Sequence, residues 1–235
     1  ILSSNLVQNP SFSEEGSEEV SNGSFSQEGS ELTTNGDFSN GITGWTTSGG
    51  NPTTVLNGTA TVPSGSYIFQ SSGIPASTQV KFVVEGTGKV RYRLGTAEGY
   101  SEQIDMPFTL YVPTQSSGTR VQLQNPSGGD VTITNVSLKE VGQDWTLNTG
   151  WSIGEDKAVA NTTGGVLSQS ISFVSGKTYK INYEIIVNSG ALFTQTNLQS
   201  VRTITTSGQY VDYITVTTDN VLRFNGNDGS PFNGS

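Results

Sequence analysis

The 235-residue chain holds 29 Gly and 8 Pro with only 13% charged residues, a balance that suits short strands and tight turns and argues against a helical protein. Cysteine and histidine are both absent, which excludes disulfides, thiol nucleophiles, Cys/His zinc sites and the usual proton shuttle. The net charge is −9, with no Lys or Arg before Lys81, so no basic face for nucleic acid is expected, and no apolar run is long enough for a membrane-spanning helix.

Residues 1–34 are acidic and repetitive. Asn9-Pro10-Ser11-Phe12-Ser13, Asn22-Gly23-Ser24-Phe25-Ser26 and Asn35-Gly36-Asp37-Phe38-Ser39 return with a period of 13 residues. Between them lie Glu14, Glu15, Glu18, Glu19, Glu28 and Glu31. One Phe per 13 residues, about 2–3 kcal/mol if buried, cannot offset about 1–2 kcal/mol of backbone entropy per residue in an isolated arm. The segment is therefore expected to order only by association, as a stalk or docking arm. Phe12, Phe25 and Phe38 would then be buried between chains or against a partner.

From residue 35 the chain reads as two related modules, 35–141 and 142–235. In the first, Thr53 to Leu56 and Thr59 to Val62 flank Asn57-Gly58, a type I′ hairpin signal. Strands follow over 67–69, 79–85, 89–94, 108–112, 120–124 and 131–141. Val80, Phe82 and Val84 alternate with polar neighbours, and Val90, Tyr92 and Leu94 alternate with Lys89, Arg91 and Arg93, as in half-buried antiparallel strands. The second module repeats this plan. Gly44-Trp45 returns 106 residues later as Gly150-Trp151, and both tryptophans are expected in the cores, with Trp145 between the modules. Gly142-Gln143 is expected to be an open linker. The second module stops where a strand like 131–141 would begin, so its last strand is expected to be missing, leaving an unpaired edge. Ile1 in place of Met and the abrupt stop at Ser235 lead us to expect a fragment of a longer chain. The fold class is all-β: two tandem antiparallel jelly-roll β-sandwiches preceded by a short-repeat segment.

The opening stretch Leu32 to Trp45 and the closing stretch Ile133 to Glu140 resemble the carbohydrate-binding-module-like, galactose-binding-like jelly rolls found on secreted glycosidases and in bacteriophage virion proteins. The resemblance covers 32–141 well and 142–235 more weakly. The tandem Asn-x-x-Phe-Ser copies are more similar to phage fibre, tail or capsid-decoration proteins than to glycosidase modules. It implies a structural Ca²⁺ near the opening motif, where Asn35 and Asp37 would supply hard oxygen ligands, and no other cofactor. Arg91, Arg93 and Tyr111 are candidates for a polar face that meets glycan hydroxyls.

For catalysis, Glu98, Glu102 and Asp105 share one loop, but solvated acids there need no chemistry, and no Gly-x-Ser-x-Gly, P-loop or His-based motif occurs. The expected function is thus non-enzymatic: a virion structural protein that self-associates, as a trimer, contacts other virion proteins and meets cell-surface glycans. The alternative is a carbohydrate-binding module of a secreted bacterial glycosidase or adhesin. The expected location is the virion or, on the alternative, the secreted fraction.

Overall fold

The computed structural model describes residues 14–71, 73–96, 99–117, 120–126, 128–162, 164–196, 199–217, 220–226 and 230–235. The fold is all-β, two tandem antiparallel sandwiches of jelly-roll type. Among the described residues no helix is long and apolar enough to cross a membrane. The first sandwich contains β1 (Glu28–Glu31), β2 (Thr46–Ser48), β3 (Thr54–Leu56), β4 (Thr59–Val62), β5 (Tyr67–Ser71), β6 (Gln79–Thr87), β7 (Lys89–Leu94), β8 (Ile104–Asp105), β9 (Phe108–Pro113), β10 (Arg120–Gln124) and β11 (Val131–Val141). One sheet runs β3-β4-β11-β6-β9, with β1 laid along the far half of β11, and the other runs β2-β5-β10-β7-β8. Asn57 and Gly58 take positive φ, 49° and 72°, the geometry that lets two right-twisted strands meet in a two-residue turn. Val80, Phe82 and Val84 of β6 face Ile68, Val121 and Leu123 of the opposite sheet in a core that also holds Phe38 and Trp45.

The second sandwich contains β12 (Thr146–Leu147), β13 (Trp151–Gly154), β14 (Lys157–Thr162), β15 (Val166–Ser170), β16 (Thr178–Ile185), β17 (Val187–Ser189), β18 (Leu192–Thr196), β19 (Gln199–Ile204), β20 (Gly208–Thr215), β21 (Val221–Gly226) and β22 (Phe232–Gly234). Its sheets run β12-β15-β21-β18-β19 and β13-β14-β22-β17, with β16 and β20 paired separately. Each order repeats the first sandwich: β12-β15-β21-β18-β19 stands for β2-β5-β10-β7-β8, and β13-β14-β22-β17 for β3-β4-β11-β6. The counterpart of β6 is broken into β16 and β17. Lys180 faces Tyr213 across β16 and β20 as Lys81 faces Tyr111 across β6 and β9.

This correspondence corrects the pairing of the tryptophans. Trp45 immediately precedes β2 and Trp145 immediately precedes β12, so Trp145 is the counterpart of Trp45. Trp151 sits on β13 opposite Ala160, as Val55 sits on β3 opposite Ala60. The residue before each counterpart tryptophan is left-handed: Gly44 at φ 83° and Asp144 at φ 71°. Asp tolerates that conformation, so the Gly-Trp signature is lost while the geometry is kept. Trp45 and Trp151 are both core residues, 6% and 7% exposed.

The closing strand also departs from expectation. It is present as β22, which pairs with β14 and β17 in the lane that β11 occupies between β4 and β6. It is three residues long where β11 has 11.

The N-terminal copies behave differently from the arm expected. Phe38 is 1% exposed and lies 5.5 Å from Trp45; Phe25 is half-buried, 5.0 Å from Trp145, against the second core. Both contacts are within one chain, not between chains. Trp45 Nε1 donates to Asn35 O (3.0 Å), and Trp145 Nε1 donates to Asn22 O (3.1 Å). Gln70 of β5 grips Thr34 with both ends of its amide (2.7 and 2.8 Å), and Gln169 of β15 grips Ser21 likewise (2.9 and 2.8 Å). Residues 27–39 thus strap the first sandwich and residues 14–26 strap the second, although both precede the first in sequence. The Gly142-Gln143 link is covered, because Asn22 Nδ2 donates to Gln143 O (3.1 Å) and Gly142 abuts Ile153. Phe12 lies outside the described residues.

Candidate functional site

The outer face of the β2-β5-β10-β7-β8 sheet gathers the polar chemistry of the first sandwich. Alternation sends Val121 and Leu123 of β10 into the core and leaves Arg120, Gln122 and Gln124 outward. Register then aligns Phe69, Gln122 and Arg93 in one row across β5, β10 and β7, and Tyr67, Gln124 and Arg91 in the next. Gln122 is 1% exposed even though it faces away from the core. Its cover is Tyr100, whose hydroxyl pairs with Gln122 Nε2 and whose ring lies 5.0 Å from the Arg93 guanidinium. Burial pushes the Tyr100 hydroxyl pKa up, so it remains a neutral donor and acceptor.

Two cation–π pairs flank this glutamine: Arg93 on Tyr100, and Arg120 stacked 4.1 Å from Phe69. Arg93 Nη2 and Arg120 Nη1 both donate to Gln122 Oε1, at 2.7 and 3.5 Å. The Nε donors of Arg91, Arg93 and Arg120 are buried without a partner. Beside the row, Ser101 closes a cleft of about 290 Å³ whose walls include Tyr92, Arg93, Tyr100 and Gln115. The Tyr92 N–H donates to Ser101 Oγ and the Ser101 N–H donates to Tyr92 O, each at 2.9 Å, which pins the loop to β7. Flat rings next to fixed guanidinium and amide groups suit a sugar, whose apolar ring face stacks and whose hydroxyls need donors and acceptors.

Of the residues predicted to form such a face, Arg91 and Arg93 lie together on it, and Tyr111 does not. Tyr111 is on β9 of the other sheet, with Lys81 Nζ 6.0 Å from its ring and the second core against it. Sequence reading missed Phe69, Tyr100, Arg120 and Gln122. The strand members were detectable as the outward half of each alternation, whereas Tyr100 sits on a loop without a period.

Asn35 and Asp37 direct their side chains into the opening turn. Asn35 Oδ1 accepts the Asn40 N–H (3.0 Å), and its Nδ2 donates to Gly41 O and Thr43 O (2.9 Å each). Asp37 Oδ1 accepts from the Ser39 N–H and hydroxyl. These are Asx-turn roles. Among the described residues no three acidic, His or Cys side chains gather. Of the loop acids, Asp105 is paired with Lys89 at 3.3 Å, Glu102 is exposed, and Glu98 lies outside the described residues. The second sandwich carries a further polar cluster: the exposed Arg202 places Nη2 2.5 Å from Oδ1 of the buried Asp212, and Asp212 accepts from the Tyr183 hydroxyl. Burial and that carboxylate push Tyr183 up to about 12, so its hydroxyl stays protonated and donates to Asp212.

No family model matches the sequence, and no curated protein matches it either. Among solved structures, the chain is similar to the N-terminal CBM22-1-CBM22-2 tandem domain of Xyn10C from Paenibacillus barcinonensis. The match covers 89% of each chain at 11% identity, with a TM-score of 0.33.

Proposed function

We propose that this chain is a non-enzymatic structural protein of a bacteriophage virion, of fibre, tail or capsid-decoration type, that contacts carbohydrate through the outer face of its first sandwich. The observation that carries the contact is the Phe69–Gln122–Arg93 row under Tyr100, two half-buried rings beside the Arg93 and Arg120 guanidinium groups on one outward face. The virion part rests on the tandem repeat, now seen as straps that fasten sandwiches in series, a construction suited to an extended particle-surface protein. Trimeric self-association and contacts with neighbouring virion proteins belong to this reading. The same face also serves the second reading, a carbohydrate-binding module of a secreted glycosidase or adhesin.

A glycan array followed by titration calorimetry tests the contact. Arg93→Ala and Tyr100→Ala are each expected to weaken binding of the best glycan by at least about tenfold, as loss of an anchoring side chain does, measured at a temperature where each variant's melting curve shows it still folded. The contact is wrong if no glycan binds, or if both variants bind like the parent. Sedimentation equilibrium separates the two settings: a trimer supports the virion fibre, a monomer the appended module.

A further inference from the structure

The charges of this chain are sorted, and one group of them has no counter-charge. Lys81 and Lys139 meet Glu28, Lys180 meets Glu15, Lys89 meets Asp105 and Arg202 meets Asp212. Arg91, Arg93 and Arg120 form no ion pair among the described residues, although the chain carries a net charge of −9. They are three of its five arginines. All three sit on the outer face of one sheet: Arg120 lies two residues before Gln122 on β10, while Arg93 and Arg91 of β7 lie opposite Gln122 and Gln124.

Gln122 draws two of them together. Its Oε1 accepts from Arg93 Nη2 (2.7 Å) and Arg120 Nη1 (3.5 Å), so two positive groups converge on one neutral oxygen. A carboxylate at this position would neutralise the pair; an amide leaves both charges in place, repelling one another. Rings brace them, with Tyr100 5.0 Å from the Arg93 guanidinium and Phe69 4.1 Å from that of Arg120. Each guanidinium has five N–H donors in a planar fork, and Gln122 takes one from each.

The fold does not require this arrangement, as the second sandwich demonstrates. The strap-gripping glutamines align the two modules: Gln70 lies opposite Val121, and Gln169 opposite Leu222. Val221 therefore stands where Arg120 does, Arg223 where Gln122 does and Ser168 where Phe69 does. Gln195, opposite Arg223, stands where Arg93 does. The same strand order is built there without the arginine pair and without the Phe69 ring.

We propose that the glycan taken by the first sandwich is acidic: a uronic-acid-bearing polysaccharide whose carboxylate is held by Arg93 and Arg120. Its sugar ring lies on the adjoining Tyr67, whose ring is 6.1 Å from that of Phe69. This inference rests on the carbohydrate contact proposed above and narrows it. A planar carboxylate matches the guanidinium fork, Gln122 sets the spacing of the two forks, and the ligand brings the negative charge that the face lacks. Because the protein as a whole is acidic, the attraction is local and screened by salt.

The probes are oligosaccharides of galacturonate, glucuronate and mannuronate, each beside its neutral carboxyl-reduced counterpart, titrated into the full chain by calorimetry. At least one uronate should bind, with its neutral counterpart at least about tenfold weaker, as loss of a charged hydrogen-bond partner implies. Its affinity should fall as salt rises from about 50 to 500 mM. Arg93→Gln and Arg120→Val, which install the residues of the second sandwich, should each remove most of the preference, measured where urea curves show the first sandwich folded. Gln122→Glu is the sharper variant. The Tyr100 hydroxyl can donate to the new carboxylate, both arginines remain, and uronate binding should still be lost because the counter-charge is now internal. Equal binding of a uronate and its reduced counterpart would overturn the acidic preference and leave the carbohydrate contact standing, whereas binding of no sugar at all would remove both. An unchanged preference in Gln122→Glu overturns the proposal, as does poly-glutamate that binds as tightly as the best uronate at the same salt, since charge alone would then suffice.

Discussion

Gln70 and Gln169 show how one side chain can decide whether a strap is fastened. Each is 3% exposed and spends both ends of its amide on the N–H and C=O of a single strap residue. Replacing either with Leu leaves two buried backbone groups unpaired, at a cost of about 1–3 kcal/mol for each such group. Gln70→Leu should lower the urea midpoint of the first sandwich and Gln169→Leu that of the second, followed through Trp45 and Trp145 fluorescence respectively. The paired rings permit a graded comparison. Phe38→Ala should cost about 3–5 kcal/mol, the range for emptying a fully buried aromatic site, and Phe25→Ala clearly less, because Phe25 is only half-buried. At this scale the inward strand residues and Arg91 and Arg93 were legible from alternation. Trp145 was not, because Asp144 replaces the glycine that marked Trp45, and an Asx residue in left-handed geometry leaves no distinctive dipeptide.

The strap is an element without much secondary structure of its own, and its acids are what anchor it. Burial pushes the Glu31 carboxyl up, but the Ser137 hydroxyl, the Leu138 N–H and Thr33 together hold it below its ordinary 4.5. A carboxylate depressed on folding contributes stability above its unfolded pKa and loses it as pH falls through the folded one. The first sandwich should therefore lose stability as pH drops from about 5 to 3, and Glu31→Gln should flatten that slope in urea titrations at each pH. It should not abolish it, because Lys139 and Lys81 hold Glu28 low in the same direction. The 13-residue period was plain in the sequence, but its purpose was not. The entropy argument against an isolated arm stands; the wall it needed is supplied by the same chain, through contacts such as Asn22 to Trp145, 123 residues apart. No local pattern encodes which sandwich a copy serves.

At the scale of the whole molecule, the order of straps and sandwiches is nested: the nearer copy serves the first sandwich and the farther copy the second. Deleting residues 14–26 should leave the first sandwich melting as before and lower the transition of the second, whose Trp145 and Gln169 lose their partners. Equal shifts in both transitions would contradict the nesting. Fold class, hairpin and strand alternation were readable in advance because each is local; nesting is topological and appears only in three dimensions. It has a mechanical consequence. Glu28 stands opposite Val141, so the first sandwich starts and finishes at one place. Tension applied between residue 14 and residue 235 travels from the strap straight into the second sandwich through Phe25, Trp145 and Gln169. The first sandwich hangs off the load line as a closed loop of more than a hundred residues. It feels no pull until that fastening tears, and when it does, the loop becomes slack length released under force.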